Sequence, residues 1–122
     1  MLQIRSVVKV ADNTGAKLIR VFTVYGGSRK RYAHLGEMVN ASVQSAEPRK
    51  AIKKKDIVKC IVVRTAAPIR RPDGTVLRFD ENAVVIVDEK GVPKGTRVFG
   101  PIPREIKEMG FEGIFGLAEE VV

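Results

Sequence analysis

Residues 57–64, IVKCIVVR, form an almost uninterrupted apolar run that is rich in β-branched residues. Residues 83–88, AVVIVD, repeat this pattern. Short runs of this kind predict strands that are covered on both faces, whereas a half-exposed strand would alternate apolar and polar residues. Cys60 falls inside the first run, and we expect it to be a small buried core residue. The two segments predict a mainly β fold.

Three more strands are predicted at 3–10, 17–24 and 37–45, each short and bounded by turn residues. Asp12-Asn13-Thr14-Gly15 separates the first two with residues that tolerate turn geometry. Arg71-Pro72-Asp73-Gly74 is a stronger turn signal, because Pro presets φ, Asp can bond its own backbone and Gly accepts positive φ. It predicts the tip of a β-ribbon at about 64–79.

The strand pattern is predicted to end at Pro101. Pro103 suits the first turn of a helix, and Gly110 suits the end of that helix. A second helical turn around 112–118 is weakened by two glycines. Several short strands with frequent turns, followed by a small helical tail, predict a compact barrel in a single domain spanning residues 1–122.

Charge is distributed unevenly along the chain. The 22 Lys and Arg residues outnumber the 14 acids, for a net charge of +8. Residues 101–122 contain two bases and five glutamates, a net charge of −3, so residues 1–100 carry +11. This excess goes beyond what solubility requires, and it indicates a polyanionic partner for the basic body. The acidic tail indicates a different neighbour, protein or solvent.

The bases of the body are concentrated on two predicted loops and at the ribbon. Charges on loops stay solvated in most proteins, but three groups over a scaffold with few acids fit a phosphate-binding surface. Arg can bind phosphate bidentately and stack on bases. Tyr32 can stack on an unpaired base or pack against the barrel edge. The predicted RNA-binding residues are Lys17, Arg29, Lys30, Arg31, Tyr32, Arg49, Lys50, Lys53, Lys54, Arg64, Arg70, Arg71 and Arg78.

Residues that would support catalysis or metal binding are scarce. His34 is the single His and Cys60 the single Cys, so no Cys/His set has the spacing of a metal site. We therefore expect no enzyme activity, no metal and no cofactor. No signal peptide or membrane-spanning run is recognisable, which predicts a soluble cytoplasmic protein without a membrane partner.

Five stretches, which follow one another along the chain, are long enough to be specific for a protein family. They are VADNTGA at 10–16, VVRT at 62–65, RRPDG at 70–74, RFDENA at 78–83 and GTRVFGP at 95–101. Together they make the chain resemble, over essentially its whole length, the family of the fourteenth protein of the large ribosomal subunit. The resemblance implies a small five-stranded β-barrel with a projecting β-ribbon and a short C-terminal helical segment. It also implies a structural protein of the large subunit.

The same resemblance implies a set of partners. They are large-subunit ribosomal RNA, the third and nineteenth large-subunit proteins, small-subunit ribosomal RNA at intersubunit bridges, and a ribosome-silencing factor. Thr96 and Arg97 correspond to the family's exposed protein-facing segment, where the silencing factor and the small subunit compete. The chain would then be located in the ribosome.

Four positions depart from the family pattern. Cys60 stands where a small residue, often Ala, is usual, and Lys55 stands where Gly is frequent. In the tail, Gly113 replaces a common Lys and Glu119 a common Pro, so this tail is more acidic and more flexible than expected. Family contacts that rely on a basic tail residue are therefore not expected here.

Two other functions remain open from the sequence. A free-standing barrel that binds single-stranded nucleic acid, such as a translation factor, would display several aromatic residues as stacking platforms. The two Tyr and five Phe residues lie mostly amid apolar neighbours, which ranks this alternative lower. An enzyme ranks last, because no catalytic constellation is recognisable.

Overall fold

The computed structural model describes residues 2–26, 30–50 and 52–122. The elements in chain order are β1 (Val7–Val10), β2 (Ala16–Val24), β3 (Met38–Ala46), β4 (Ile57–Arg64), β5 (Ile69–Arg70), β6 (Val76–Leu77), β7 (Ala83–Val87), β8 (Val98–Ile102), α1 (Glu105–Glu108), α2 (Glu112–Leu117) and β9 (Ala118–Val121). Five strands close into a barrel in the order β1-β2-β3-β4-β7. The predicted five-stranded barrel with a ribbon and a short helical segment is confirmed.

A short parallel seam closes the barrel. β1 pairs with β7 through Lys9 and Val10 alone, whereas the other neighbouring pairs of the barrel are antiparallel and longer. Just beyond the seam, the backbone N–H of Ile86 donates a 2.9 Å hydrogen bond to Oδ2 of Asp12. A buried carboxylate therefore reinforces the joint between the two ends of the barrel sheet.

The two apolar runs are buried on both faces, as predicted. In β7, Val84 and Ile86 belong to the cluster inside the barrel, while Val85 and Val87 belong to a second cluster outside it. Residues of the C-terminal part that complete the outer cluster include Val98, Ile102, Ile106 and Ile114. The tail thus covers the outer face of β4 and β7, and each fully buried Ile or Val contributes about 1.5–3 kcal/mol through burial.

The ribbon has the predicted tip. β5 and β6 pair antiparallel, and the turn between them runs through Asp73 and Gly74. Oδ1 of Asp73 accepts hydrogen bonds from the backbone N–H of Thr75 at 3.0 Å and from its hydroxyl at 2.6 Å. Gly74 has φ 88°, a conformation that a side chain would strain.

Two predicted boundaries are wrong. The first strand begins at Val7 rather than at residue 3, because the chain turns at residues 4–5 and Arg5 has φ 75°. The strand pattern also continues past Pro101, since β8 contains it and pairs in parallel with β9. A residue without an N–H is tolerated there because β8 lies in a two-stranded sheet with an unpaired side.

The tail helices lie close to their predicted positions. Gly110 follows α1 with φ 96°, and the N–H of Phe111 donates to the carbonyl of Ile106 at 3.2 Å, which closes the helix end. Among the residues that the structure describes, no helix combines the length and apolar character needed to cross a membrane.

Candidate nucleic-acid interface

The loop between β2 and β3 presents an exposed Arg and an exposed aromatic ring. Arg31 and Tyr32 both point to solvent. Ala33, next to them, is buried and exchanges backbone hydrogen bonds of 2.8 and 2.9 Å with Leu2. The hydrogen bonds of Ala33 therefore fix the backbone immediately after Arg31 and Tyr32. Arg29, predicted in the same group, lies outside the described residues.

The loop between β3 and β4 is the most basic surface of the chain. Its predicted RNA-binding residues, Arg49, Lys50, Lys53 and Lys54, are all exposed. Ile52 is buried in the barrel core and packs the loop against the barrel. Oδ2 of Asp56 accepts the N–H of Lys53 at 2.9 Å, which closes the turn. Local bonds thus direct the basic side chains outward.

The departure at Lys55 has a structural explanation. Lys55 has φ 73°, in the left-handed region where Gly is unstrained and a side chain is not. Its N–H donates to the carbonyl of Val43 at 2.8 Å, so pairing with β3 holds this conformation. The turn is formed with Lys in place of Gly, at the cost of local strain.

The ribbon and the barrel wall add further open charges. Arg70 and Arg78 on the ribbon are exposed, and so is Lys17 on β2. Two of the four predicted RNA-binding arginines on and near the ribbon therefore face solvent. The other two, Arg64 and Arg71, have partners within the chain.

Arg71 holds the C-terminal tail against the ribbon. Its Nε donates to Oε1 of Glu105 at 2.6 Å, and its Nη2 donates to Oε2 at 3.1 Å and to the carbonyl of Val122 at 2.8 Å. The Arg71 side chain is only 13% exposed. This bidentate pair lowers the pKa of Glu105 and raises that of Arg71. The sequence alone did not indicate that Glu105 pairs with Arg71. The only sequence feature pointing to such a pair was the high acid content of the tail.

Arg64 and Lys30 are also engaged within the chain. Nη1 of Arg64 donates to the carbonyls of Phe99 at 2.8 Å and Pro101 at 3.2 Å, and burial lowers its pKa. Lys30 forms an ion pair with Glu37. For Arg64, Arg71 and Lys30, contact with RNA remains a prediction that must compete with these bonds.

Thr96 and Arg97 form a second, separately anchored surface. Both are exposed. Oδ1 of Asn13 accepts the backbone N–H groups of Thr96 at 2.8 Å and Arg97 at 3.2 Å, and its Nδ2 donates to the Thr96 hydroxyl at 2.7 Å. Sequence reasoning interpreted Asn13 only as a turn residue, although its place in the specific stretch at 10–16 was a usable signal.

Asp12 supports this surface from below. Its Oδ1 accepts the N–H and the hydroxyl of Thr14, at 3.2 and 2.6 Å, and its Oδ2 accepts the N–H of Ile86. Burial raises the pKa of Asp12, and the hydrogen bonds act in the opposite direction. The loop at 12–15 is therefore a hydrogen-bonded support between β7 and the segment at 96–97.

The aromatic residues are more exposed than the sequence suggested. Phe22, Tyr25, Tyr32 and Phe99 have between 38% and 44% of their surface accessible. This differs from the expectation that apolar neighbours in sequence would enclose most rings. Phe22 and Phe99 lie on strands, where adjacent residues face opposite sides, and Tyr25 and Tyr32 lie in the loop between β2 and β3.

Cys60, the single cysteine, is placed where it cannot readily act as a nucleophile. Cys60 is fully buried, as predicted, and burial, together with the negative charge of Asp12, raises its thiol pKa far above its ordinary range. A thiolate nucleophile is therefore disfavoured. Within residues 2–26, 30–50 and 52–122, no group of three or more His, Cys, Asp or Glu residues is placed to hold a metal ion.

A family model described as "Ribosomal protein L14p/L23e" covers residues 1–122 of the chain.

Proposed function

Because the chain belongs to the ribosomal protein L14p/L23e family, we propose that its exposed basic loops bind large-subunit ribosomal RNA. Membership makes it a structural constituent of the large subunit, located in the ribosome. The proposal adds a mechanism. Lys and Arg side chains neutralise phosphates, and the rigid barrel holds these side chains in register.

The open charge on the loops is the observation that carries this proposal. Eight predicted RNA-binding bases are exposed and take part in none of the salt bridges among the described residues: Lys17, Arg31, Arg49, Lys50, Lys53, Lys54, Arg70 and Arg78. Bases that are not held in a salt bridge remain available to attract an external polyanion. Binding to phosphate releases counterions, so affinity depends on salt.

A salt titration with deproteinised large-subunit ribosomal RNA tests the mechanism. With about five phosphate contacts and a coefficient near 0.7 per contact, log affinity falls against log salt with a slope of about −3.5. Filter binding or fluorescence anisotropy measures this slope. A slope near zero between low and moderate salt would refute phosphate neutralisation.

Matched charge reversals locate the surface. Arg70→Glu reverses an exposed ribbon base that takes no part in the bonds of Arg71, and it should weaken RNA binding. Lys90→Glu makes the same charge change at an exposed position outside the three basic groups and serves as the control. Equal losses in the two variants would mean that net charge, rather than the ribbon, determines affinity.

We also propose that Thr96 and Arg97 contact protein or the small subunit, including a ribosome-silencing factor and an intersubunit bridge. Exposure on a loop anchored by Asn13 supports this, because the backbone beneath the two side chains is fixed before binding. The acidic tail would repel a phosphate backbone at close range, so neighbouring large-subunit proteins, among them the third and nineteenth, are its proposed partners.

Two variants separate the two surfaces. Arg97→Glu should leave incorporation into the large subunit intact while weakening subunit joining or binding of the silencing factor. Arg70→Glu should impair incorporation first. If Arg97→Glu abolishes incorporation as severely as Arg70→Glu, the division into an RNA surface and a protein surface is wrong.

A further inference from the structure

The outer wall of the barrel formed by β2, β3 and β4 is basic and contains no acid. Residues 16–24, 38–46 and 57–64 contain neither Asp nor Glu. Their bases are Lys17, Arg20, Lys59 and Arg64, of which Arg64 is bonded to the carbonyls of Phe99 and Pro101. Arg20 and Lys59 take part in none of the salt bridges among the described residues. This wall therefore carries positive charge that can attract a polyanion. This charge belongs to the strands and is separate from that of the basic loops.

A β-bulge places two aromatic rings on this wall. Val21 pairs with Ala41 and Thr23 pairs with Asn40, so Phe22 is the extra residue in β2. The extra residue shifts the alternation, which leaves Val24 buried and Tyr25 outside together with Phe22. Phe22 and Tyr25 are 41% and 40% exposed. Without the bulge, one of the two rings would face the core.

The rings are surrounded by neutral hydrogen-bonding groups and by a Lys. On β3, Asn40 lies opposite Lys59, and its Nδ2 donates to Oη of Tyr25 at 2.6 Å. Nζ of Lys59 lies 6.0 Å from the centroid of the Tyr25 ring. These contacts fix the ring on the wall, so a ligand that stacks on it would not have to order it first.

Amide and hydroxyl groups continue along β3. Ser42 lies opposite Arg20 on one side and Ile57 on the other, and Nε2 of Gln44 donates to its hydroxyl at 2.9 Å. Amides and hydroxyls can bond the edges of bases that are not paired. Asp88 and Glu89 line a groove beside Ile57 and Lys59 toward β7, and Asp12 and Glu47 line a groove with Lys17 and Ser45 at the other end of the wall. Arg20 belongs to neither of these acid-lined grooves, so a polyanion is favoured beside Arg20.

We propose that this wall binds an unpaired segment of RNA, with bases stacked on Phe22 and Tyr25 and phosphates beside Arg20 and Lys59. The inference rests on the proposed function in assuming an RNA partner, but it uses other residues and a different mode of recognition. The basic loops neutralise phosphates of any RNA, whereas a stacking wall requires bases that are free of pairing.

Tyrosine emission gives a direct test. The chain has two Tyr and no Trp, so in a Tyr32→Phe background all tyrosine emission comes from Tyr25. The probes are a short oligoadenylate, an abasic strand of the same length and a duplex of the same length. Stacking predicts that oligoadenylate quenches Tyr25 emission to saturation, while the abasic strand and the duplex leave it unchanged even where they bind.

Substitution tests the second ring. Phe22→Ala should weaken oligoadenylate binding about tenfold, the loss expected for removing one base–aromatic stack. Phe22→Tyr should retain the affinity of the original chain. Met109→Ala is the control, because it removes a similarly exposed apolar side chain from the C-terminal tail, outside the wall. Thermal unfolding monitors folding in each variant, and the quenching experiment stands even if Phe22→Ala fails to fold.

The outcomes separate this inference from the proposed function. If the chain binds ribosomal RNA with the predicted salt slope but oligoadenylate does not quench Tyr25, the stacking wall is overturned and the RNA-binding loops stand. If neither RNA binds, both proposals fail. If Phe22→Ala impairs assembly into the subunit while leaving all RNA binding unchanged, the wall takes a protein partner and the inference is overturned.

Discussion

The basic loops and the C-terminal tail use charge in opposite ways. In the loop between β3 and β4, basic side chains are exposed and lack salt-bridge partners among the described residues. In the tail, Glu105 is paired with Arg71, and Oε2 of Glu119 accepts the N–H of Gly100 at 3.3 Å. Open charges suit an external partner, whereas paired charges fasten one part of the fold to another.

Arg70 and Arg71 show this difference at adjacent positions. Arg70 is exposed at the end of β5, while Arg71 reaches across to Glu105 and Val122. A double reversal of both residues would mix loss of RNA contact with release of the tail. Single substitutions are therefore needed to attribute an effect to either role.

Loss of tail packing should give the largest effect. Ile106 is fully buried in the outer cluster, so Ile106→Ala should lower the free energy of unfolding by about 2–5 kcal/mol. Urea denaturation measures the change. Val92→Ala, at an exposed position, is the control and should stay within about 0.5 kcal/mol. A small decrease in the free energy of unfolding for Ile106→Ala would mean that the tail packs only weakly on the barrel. The contrast between the open basic loops and a fastened tail would then be wrong.

The barrel interior provides a smaller effect. Cys60→Ala should lower stability by about 1 kcal/mol through lost packing, with little effect on RNA binding. In the original chain the buried thiol with its raised pKa should react slowly with a thiol reagent. Rapid labelling under native conditions would contradict the burial of Cys60.

The two ribbon arginines should affect different measurements. Arg70→Ala should reduce the salt slope of RNA binding by about 0.7, the share of one phosphate contact. Arg71→Ala should instead accelerate amide exchange at Arg104, whose N–H donates to the carbonyl of Val122. Arg71→Lys keeps the charge but loses the bidentate geometry, so it should resemble Arg71→Ala in exchange. If the Arg70 and Arg71 variants change the salt slope and the amide exchange equally, the two arginines do not have separate roles.

Acid should release the tail. Pairing with Arg71 holds the pKa of Glu105 below its ordinary value of 4.5. A lowered folded-state pKa means that the pair stabilises the fold above pH 4.5 and that this contribution is lost as pH falls through the folded-state pKa. The stability difference between the original chain and Glu105→Gln should therefore be present at neutral pH and vanish in acid. A difference that persists in strong acid would assign the effect to packing.

The strained turn should give the smallest effect. Lys55→Gly relieves the left-handed strain but adds backbone entropy in the unfolded chain, so stability should rise by less than about 1 kcal/mol. Lys55→Ala removes the same charge and keeps the strain, which makes it the control. If both substitutions change stability equally, strain at this turn is not significant.

Sequence reasoning was most successful where a single local signal decides the structure. Continuous apolar runs predicted the two-sided burial of β4 and β7, because only strands covered on both faces can hold such runs. The turn at 71–74 predicted the ribbon tip, because Asp73 and Gly74 satisfy it locally. Both features depend on residues within a few positions of each other.

Features that depend on distant partners were missed. β9 consists of AEEV, a sequence with little strand preference, and it becomes a strand because β8 pairs with it. Residues of the candidate interface whose environment depends on distant partners were missed for the same reason. Arg71 has the sequence signature of a phosphate ligand, but Glu105 lies opposite it in the fold. The placement of Tyr25 on the same side as Phe22 follows from a bulge that only pairing with β3 reveals.

The parallel seam between β1 and β7 has a consequence for how the barrel forms in time. The bond from Ile86 to Asp12 joins residues 74 positions apart, and the seam cannot form until the whole intervening chain has been arranged. Closing so long a loop carries an entropic cost before any pairing is gained, so we expect folding on the millisecond-to-second scale typical of such topologies. During synthesis, β1 must keep one edge unpaired until β7 has emerged, and that edge is exposed to other chains in the interval.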